Sequence, residues 1–450
     1  MLRHNTGVLS ATTAFGKTVI GAYLIAAHKV NALILVHRTS LLAQWTERLN
    51  EFLIINEEPA LEFTPSGRKK KKNLIGQIGG GKNNASGVID VAIIQSLVSR
   101  GEVKELVRDY GLVIVDECHH VSAFSFEKVL KTVNAKYVYG LTATPTRQDG
   151  HHPIIYMQCG KIRYRVDAKA QAAARPFEHY VIPRFTRFQK PAFRDESSWG
   201  INEIYTDIQD SAARNDLIVQ DVIAAVEHGR NPIILSERVE HVQYLKEMLA
   251  PYISNVIALT GGSSQRDRRE TLQRVADIPD SEPFALVATG KYIGEGFDMP
   301  RLDTLFLAMP ISWKGTVQQY AGRLHRLFEG KQEVQVYDYV DAHVAMLEGM
   351  YQKRLKAYAS IGYKAKAALQ PIDAAHSIYD SRNFFPVYSS DITLARQEAL
   401  IVSPFLTKRR IMAALGYLDA TKAKVTVFTK SLDNYPEKDK AMISECIDIL

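Results

Sequence analysis

The chain has 450 residues, enough for two or three domains with substantial cores. Hydrophobic residues make up 46%, and no run of about 18 uncharged apolar residues occurs, so no helical membrane span is expected. The net charge of +7 and a pI near 9.0 suit a polyanionic partner. Cys118, Cys159 and Cys446 lie far apart and form no CxxC pair, so neither a disulfide framework nor a zinc cluster is indicated. Met1-Leu2-Arg3-His4-Asn5 lacks the apolar core of a signal peptide. A reducing cytoplasm is the expected location.

The first informative stretch is Gly7-Val8-Leu9-Ser10-Ala11-Thr12-Thr13-Ala14-Phe15-Gly16-Lys17-Thr18. A short apolar run ends in a loop of small residues, and Lys-Thr opens a helix-favouring segment from Val19 to Ala27. Strand, tight loop and helix together wrap a phosphate chain. Loop amides point inward, the helix N-terminus adds its positive dipole end, and the lysine adds a mobile charge. Ala11, Thr12, Thr13, Ala14, Phe15, Gly16, Lys17 and Thr18 are the candidate phosphate-binding residues, and the Thr18 hydroxyl suits magnesium. Ala11 and Ala14 stand where glycine is usual. Alanine at the first position is used by one large NTPase group; Ala14 is the real departure.

Ala32 to His37 is a continuous apolar run, as expected for a parallel strand buried on both faces. Arg38-Thr39-Ser40 leads into a helix reaching about Phe52, with Ser40 as the N-cap. Arg68-Lys69-Lys70-Lys71-Lys72 is a basic run that suits a solvated loop or a phosphate contact. Gly79-Gly80-Gly81-Lys82 either lets amides approach a phosphate strand or is a flexible turn. Ile89 to Ile94 reads as a strand, and Gln95-Ser96 starts the next helix.

Leu112-Val113-Ile114-Val115 delivers Asp116 and Glu117 at a strand's carboxyl end, where parallel sheets place their ligands. Asp116 is expected to hold magnesium, largely through water. Glu117 is expected to orient and deprotonate an attacking water. Tyr137 to Leu141 is a further strand, ending in Thr142-Ala143-Thr144-Pro145. Small hydroxyl residues there can relay hydrogen bonds from a nucleotide site.

Gly16-Lys17-Thr18, Asp116-Glu117-Cys118-His119 and Thr142-Ala143-Thr144 together resemble the motifs of a superfamily 2 helicase, in that family's order. Within the family the chain is most similar to the XPB-like and restriction-subunit-like branch, often called DEAD/DEAH-box helicases. Arg147-Gln148-Asp149 resembles that branch's Arg-Glu-Asp element, with Gln for Glu.

A second α/β pattern begins near Ile201. Residues 201–227 read as helix, followed by strands at Pro232–Leu235, Val256–Leu259, Phe284–Ala288 and Thr304–Leu307. In Gln319-Tyr320-Ala321-Gly322-Arg323-Leu324-His325-Arg326 a helix puts Arg323 and Arg326 on one face. Guanidinium groups suit a phosphate in transfer. The resemblance makes these the arginine fingers, with Gln319 beside them in the catalytic set. It places Gly294 and Asp298 among the ATP-binding residues, in the motif that couples nucleotide to strand, and Thr289, Thr142, Thr144, Arg38, Gln95 and Arg147 in coupling and nucleic-acid contact.

The resemblance spans Val8 to Asp341. It implies an α/β fold of two tandem RecA-like parallel-sheet lobes, with ATP and Mg2+ as ligands and nucleic acid, DNA before RNA, as partner. The expected divisions are 1–155 for the ATP-binding lobe, 156–200 for a basic and aromatic linker, 201–365 for the second lobe, and 390–450 for a small tail domain. The family's upstream glutamine-containing adenine grip is not found before Ala11. The tail resembles the opening of a phospholipase D-like nuclease domain but has no His-x-Lys, and no histidine follows His376. No nuclease activity is expected of it, and the pattern is incomplete at Leu450. Two alternatives to a helicase or translocase stand: a nucleic-acid-binding module with little ATP turnover, and the motor of a restriction or defence complex with a nuclease partner.

Overall fold

The computed structural model describes residues 1–12, 15–59, 61–63, 69–119, 123–143, 152–189, 200–261, 265–290, 299–311, 314–368, 384–419 and 423–449. Two compact units result, Met1–Ala168 and Lys169–Leu450.

The first unit contains β1 (Thr6–Ser10), β2 (Ala32–Val36), β3 (Leu61–Phe63), β4 (Lys69–Lys71), β5 (Ile75–Gly79), β6 (Lys82–Asn84), β7 (Ile89–Ile93), β8 (Val98–Ser99), β9 (Glu102–Val103), β10 (Leu112–Val115), β11 (Tyr137–Thr142) and β12 (Ile162–Arg165). Eight of these strands form one sheet in the order β12-β1-β11-β10-β2-β7-β5-β6. It is parallel except for the β5–β6 hairpin. The continuous apolar runs follow from cover on both faces. Leu9, Ile34, Ile114 and Leu141 pack with α1 (Lys17–His28) and α2 (Thr39–Phe52) on one side. Val8, Leu33, Val113 and Val115 pack with Phe126 and Ile155 on the other. Sheet order brings the carboxyl ends of β1, β11 and β10 side by side.

The second unit holds β13 (Glu178–Phe185), β14 (Pro232–Ser236), β15 (Asn255–Leu259), β16 (Phe284–Thr289), β17 (Thr304–Leu307), β18 (Glu333–Val340), β19 (Lys364–Ala365), β20 (Glu398–Val402) and β21 (Lys424–Phe428). Its main sheet is parallel throughout, in the order β15-β16-β14-β17-β18-β13-β19. β20 and β21 form a separate parallel pair around the helix Lys408–Asp419. The tail packs onto the main body through Phe185, Val340, Tyr351 and Tyr417.

Several boundaries differ from the sequence reading. Residues 156–200 are not a plain linker: β12 joins the edge of the first sheet, and β13 lies within the second. β13 escaped notice because of its polar side chains, yet Arg184 is buried against Asp221 at 2.8 Å. Pro183 fits the strand because β19 pairs only with Tyr180 and Val181. Helix 201–227 is two helices, Ile201–Gln209 and Ala212–Glu227. Gln95 lies in the 3-10 turn Ile94–Leu97. α2 begins at Thr39 with Arg38 at the N-cap position, so Ser40 is inside the first turn. Lys69–Lys71 of the basic run is a strand paired with Leu61–Phe63.

Three ion pairs sit inside the second unit: Arg184–Asp221, Arg214–Asp341 and Arg354–Asp338. Arg354 is bidentate, with both contacts at 2.8 Å, and Tyr358 donates to the same carboxylate at 2.8 Å. Removing one partner strands the other charge in the core. Arg354→Leu is therefore expected to lower unfolding free energy by about 3–5 kcal/mol. Urea denaturation checks this, and a loss under about 1 kcal/mol contradicts it.

Candidate active site

The loop after β1 passes through Ala11, buried at 2% exposure, whose N–H donates to Thr142 O at 2.9 Å. It ends at Gly16, left-handed with φ 90°. A Cβ there would sit no closer than 3.9 Å to any neighbour, so the backbone angle and not crowding selects glycine. Gly16 has no side chain to cap the amides of α1, which leaves that helix end open to an anion. Lys17 begins the helix, and Thr18 follows within its first turn.

Lys17 Nζ lies 2.9 Å from Glu117 Oε1, just beyond β10. Glu117 has φ 44°, a left-handed conformation that costs a side-chain-bearing residue about 1–2 kcal/mol. Its N–H donates to Asp116 Oδ1 at 2.9 Å. The turn thus aims Glu117 at Lys17 while Asp116 points into the lobe.

Asp116 is 6% exposed and accepts a hydrogen bond from Trp45 Nε1 at 2.7 Å. Burial pushes its carboxyl up to about 6. The Glu117 charge adds to this, while Lys17, the indole N–H and the Glu117 amide oppose it. Stability from this group is full below 3.8 and is lost as pH rises through about 6. Trp45 and Lys17 therefore offset the cost of a carboxylate here. Trp45 is held in turn by Gly21, where a Cβ would come within 2.4 Å of the indole ring.

His119 Nδ1 lies 2.7 Å from the Thr142 hydroxyl and 3.3 Å from Glu117 Oε2. Thr142 is fully buried at the end of β11. His119 Nδ1 thus pairs with the Thr142 hydroxyl and faces Glu117 Oε2. Cys118, between the two acidic residues and His119, is a buried free thiol that burial pushes well above its ordinary pKa. Cys118 and Cys159, far apart in sequence, both flank Gly140.

Arg38 and Gln95 are exposed at the carboxyl ends of β2 and β7. Beside them Gly79 and Gly80 of the glycine turn are tightly packed, while Gly81 faces open space. Gly79, Gly80 and Gly81 have φ of 115°, 63° and 81°. A Cβ on Gly79 would meet Ser96 Oγ at 2.9 Å, and one on Gly80 would meet Thr39 Cγ2 at 3.0 Å.

In the second unit Thr289 is buried at the end of β16, and Gln319 is half-buried in the helix Lys314–Ala321. That helix stops before the arginines. Arg323 lies in the 3-10 turn Gly322–His325, and Arg326 follows it with φ −67° and ψ 137°. The single-helix argument for Arg323 and Arg326 is thereby corrected: a tightened turn and an extended residue present them. Thr13, Ala14, Thr144, Arg147, Gly294 and Asp298 lie outside the described residues.

Sequence reasoning assigned no role to Trp45 or His119. The aromatic residue on the sheet-facing side of α2 and the histidine two places after Glu117 were the available signals.

Trp45→Phe leaves Asp116 without its indole donor. The expected loss of stability is about 1.5–3 kcal/mol at pH 8 and smaller at pH 5, where the carboxyl is largely protonated. Unfolding titrations at the two pH values check this; equal losses contradict it.

Residues 2–147 match the family described as "Type III restriction enzyme, res subunit", and residues 215–328 match "Helicase conserved C-terminal domain". "Probable helicase D10" of Escherichia phage T5 is 25% identical over 339 residues, covering 75% of this chain and 68% of the relative. "DNA 3'-5' translocase XPB2" of Sulfurisphaera tokodaii is 25% identical over 367 residues, covering 73% and 76%. The fold is shared with a solved fragment of a putative HsdR subunit of a type I restriction enzyme from Vibrio vulnificus, at TM-score 0.56 and 18% identity, covering 81% of this chain and 64% of that one. Among the described residues no helix is long and apolar enough to cross a membrane. With the phosphate loop, the paired acidic residues and the arginine turn in family order on two parallel-sheet units, the chain belongs to the superfamily 2 helicases, alongside XPB-like and restriction-subunit-like relatives.

Proposed function

We propose that this chain is an ATP-dependent translocase or helicase that moves on DNA, with Met1–Ala168 as its ATP-binding lobe. The observation that carries the reading is the 2.9 Å contact between Lys17 and Glu117, with Asp116 adjacent. Such a grouping at the carboxyl end of a parallel sheet is the charge pattern that Mg-ATP hydrolysis needs. The left-handed Gly16, the open end of α1 and the acidic Asp116 fit a nucleotide with its metal. When bound, Mg2+ neutralises phosphate charge; Thr18 and Asp116 are the residues that would hold it.

The chain's own residues supply the rest. The left-handed turn at Gly16 and the uncapped first amides of α1 receive phosphate oxygens, and Lys17 leaves Glu117 to meet them. Glu117 is then free to orient a water and take its proton. His119, bonded to Thr142, stands beside the Glu117 carboxylate. Arg323 and Arg326 add positive charge to the phosphoryl group during transfer, with Gln319 beside them. Arg38, Gln95, Thr142 and Thr289 serve coupling and strand contact. DNA is favoured by the XPB2 relative, whose name is that of a DNA translocase.

The intact Lys17–Glu117–Asp116 grouping argues for turnover over a module that only binds nucleic acid. A second reading, the motor of a restriction or other defence assembly with a nuclease partner, is favoured by the restriction-subunit family match. A nuclease gene beside this one would support it.

Glu117→Gln is expected to lower DNA-stimulated ATPase by about 100-fold or more while nucleotide binding persists. Equal rates in the two proteins contradict the assignment of Glu117 as base. DNA binding is expected to weaken linearly in log–log form as salt rises, independent of sequence.

A further inference from the structure

The turn that carries Arg323 and Arg326 has an electrostatic difficulty. Its helix ends at Ala321, the 3-10 turn ends at His325, and Arg326 is extended. The last carbonyls of the turn therefore have no following helical N–H groups to accept from. Two cations from elsewhere in the unit serve them. Lys331 Nζ donates to Leu324 O at 3.0 Å and Arg326 O at 2.9 Å. Arg175 Nη1 donates to His325 O, between those two. Cations are favoured at a helix carboxyl end in any case.

Lys331 also reaches a second segment. The same Nζ donates to Pro300 O at 2.7 Å and Leu302 O at 2.8 Å. One ammonium, with three N–H donors, thus serves four carbonyls on two chain segments. The second segment begins two residues after Asp298 in sequence. Phe177 presents its ring 5.6 Å from the ammonium.

We propose that Lys331 is a positioning residue for ATP hydrolysis: it fastens the turn bearing Arg323 and Arg326 to residues 300–302, so that both guanidinium groups are presented in one fixed geometry. This rests on the roles given above to Arg323 and Arg326. Nothing in the sequence marked the lysine, because its four partners are backbone atoms.

The surroundings make the fastening pH-dependent. Burial pushes the Lys331 ammonium down to about 8; Arg230 and Arg175 act in the same direction, and Asp303 opposes them. The other groups nearby are His325, kept neutral by burial well below its ordinary value, and Glu333, paired with Arg230 and Lys366. A neutral amine has only two N–H donors and no charge for four carbonyls, so the turn loosens as pH rises through about 8. Stability moves the other way. The unfolded chain holds this proton more tightly, so the group's contribution to stability rises between about 8 and 10.5. A positioning role and a purely structural one therefore predict opposite trends in that interval.

The test measures ATPase turnover at saturating DNA for wild type, Lys331→Met, Lys331→Arg, Arg326→Ala and the Arg326→Ala/Lys331→Met double variant. Lys331→Met is expected to lower kcat about 10-fold or more with KM for ATP within about twofold, since the arginines act in the transition state. The double variant should fall little below Arg326→Ala alone, because both changes remove one function. Wild-type kcat should decline above about pH 8 while Tm does not, and Lys331→Arg, which stays charged, should lack that decline. Slow Arg326→Ala with Lys331→Met at wild-type rate overturns the proposal and leaves the arginine assignment standing. Wild-type turnover in Arg326→Ala, and in Arg323→Ala measured alongside it, instead removes the arginine assignment itself. Should Lys331→Met fail to fold, a wild-type kcat that stays level from about pH 7 to about pH 9.5 overturns the proposal.

Discussion

A carboxylate buried beside a lysine at the end of a parallel strand is the constraint on which the first unit turns. Asp116 is almost wholly removed from water, and such burial opposes its charge. The lobe answers with an indole N–H from α2, a backbone amide from Glu117 and the nearby ammonium of Lys17. Each donor comes from a different part of the chain. The arrangement exists only when β1, β10 and β2 are in register, with α1 and α2 packed on one face. Site and fold are therefore one cooperative object: Gly21 admits Trp45, Trp45 holds Asp116, and the turn at Asp116 sets Glu117 in a strained conformation facing Lys17.

The second unit solves a related problem with cations. Arg184, Arg214 and Arg354 are buried against single aspartates, and Lys331 and Arg175 terminate a turn by binding its carbonyls. Buried pairs add little net stability compared with apolar packing, but they are intolerant of misalignment. Such fasteners suit the role proposed above for the arginine-bearing turn, which would have to keep its shape under the changing charge of a phosphoryl transfer.

The parts legible in the sequence were those governed by local pattern. Ala32–Val36 and Leu112–Val115 are apolar throughout because both faces of their sheet are covered, and that composition survives inspection without coordinates. Gly16-Lys17-Thr18 was legible as a small-residue loop opening a helix, taken together with Asp116-Glu117 downstream, and the left-handed φ of Gly16 gives the reason glycine stands there. What escaped depended on distant partners. β13 looked like linker because Arg184 is polar until Asp221 neutralises it. Trp45 is an ordinary core residue until Asp116, 71 positions on, supplies its acceptor. The expected helix through Arg326 gives way at Ala321 to a 3-10 turn whose last carbonyls are taken by Lys331 and Arg175, contacts to which hydrophobic period is blind.

The central claim is that the loop ending in Gly16-Lys17 holds a triphosphate against Asp116. Calorimetric titration of a slowly hydrolysed ATP analogue with Mg2+ into wild type and Lys17→Ala tests it most directly. The account predicts measurable affinity in the wild type and a loss of about 10-fold or more in the variant, one unscreened ammonium contact being worth at least about 1.4 kcal/mol. Equal affinities in the two proteins, or no binding to either, would contradict it.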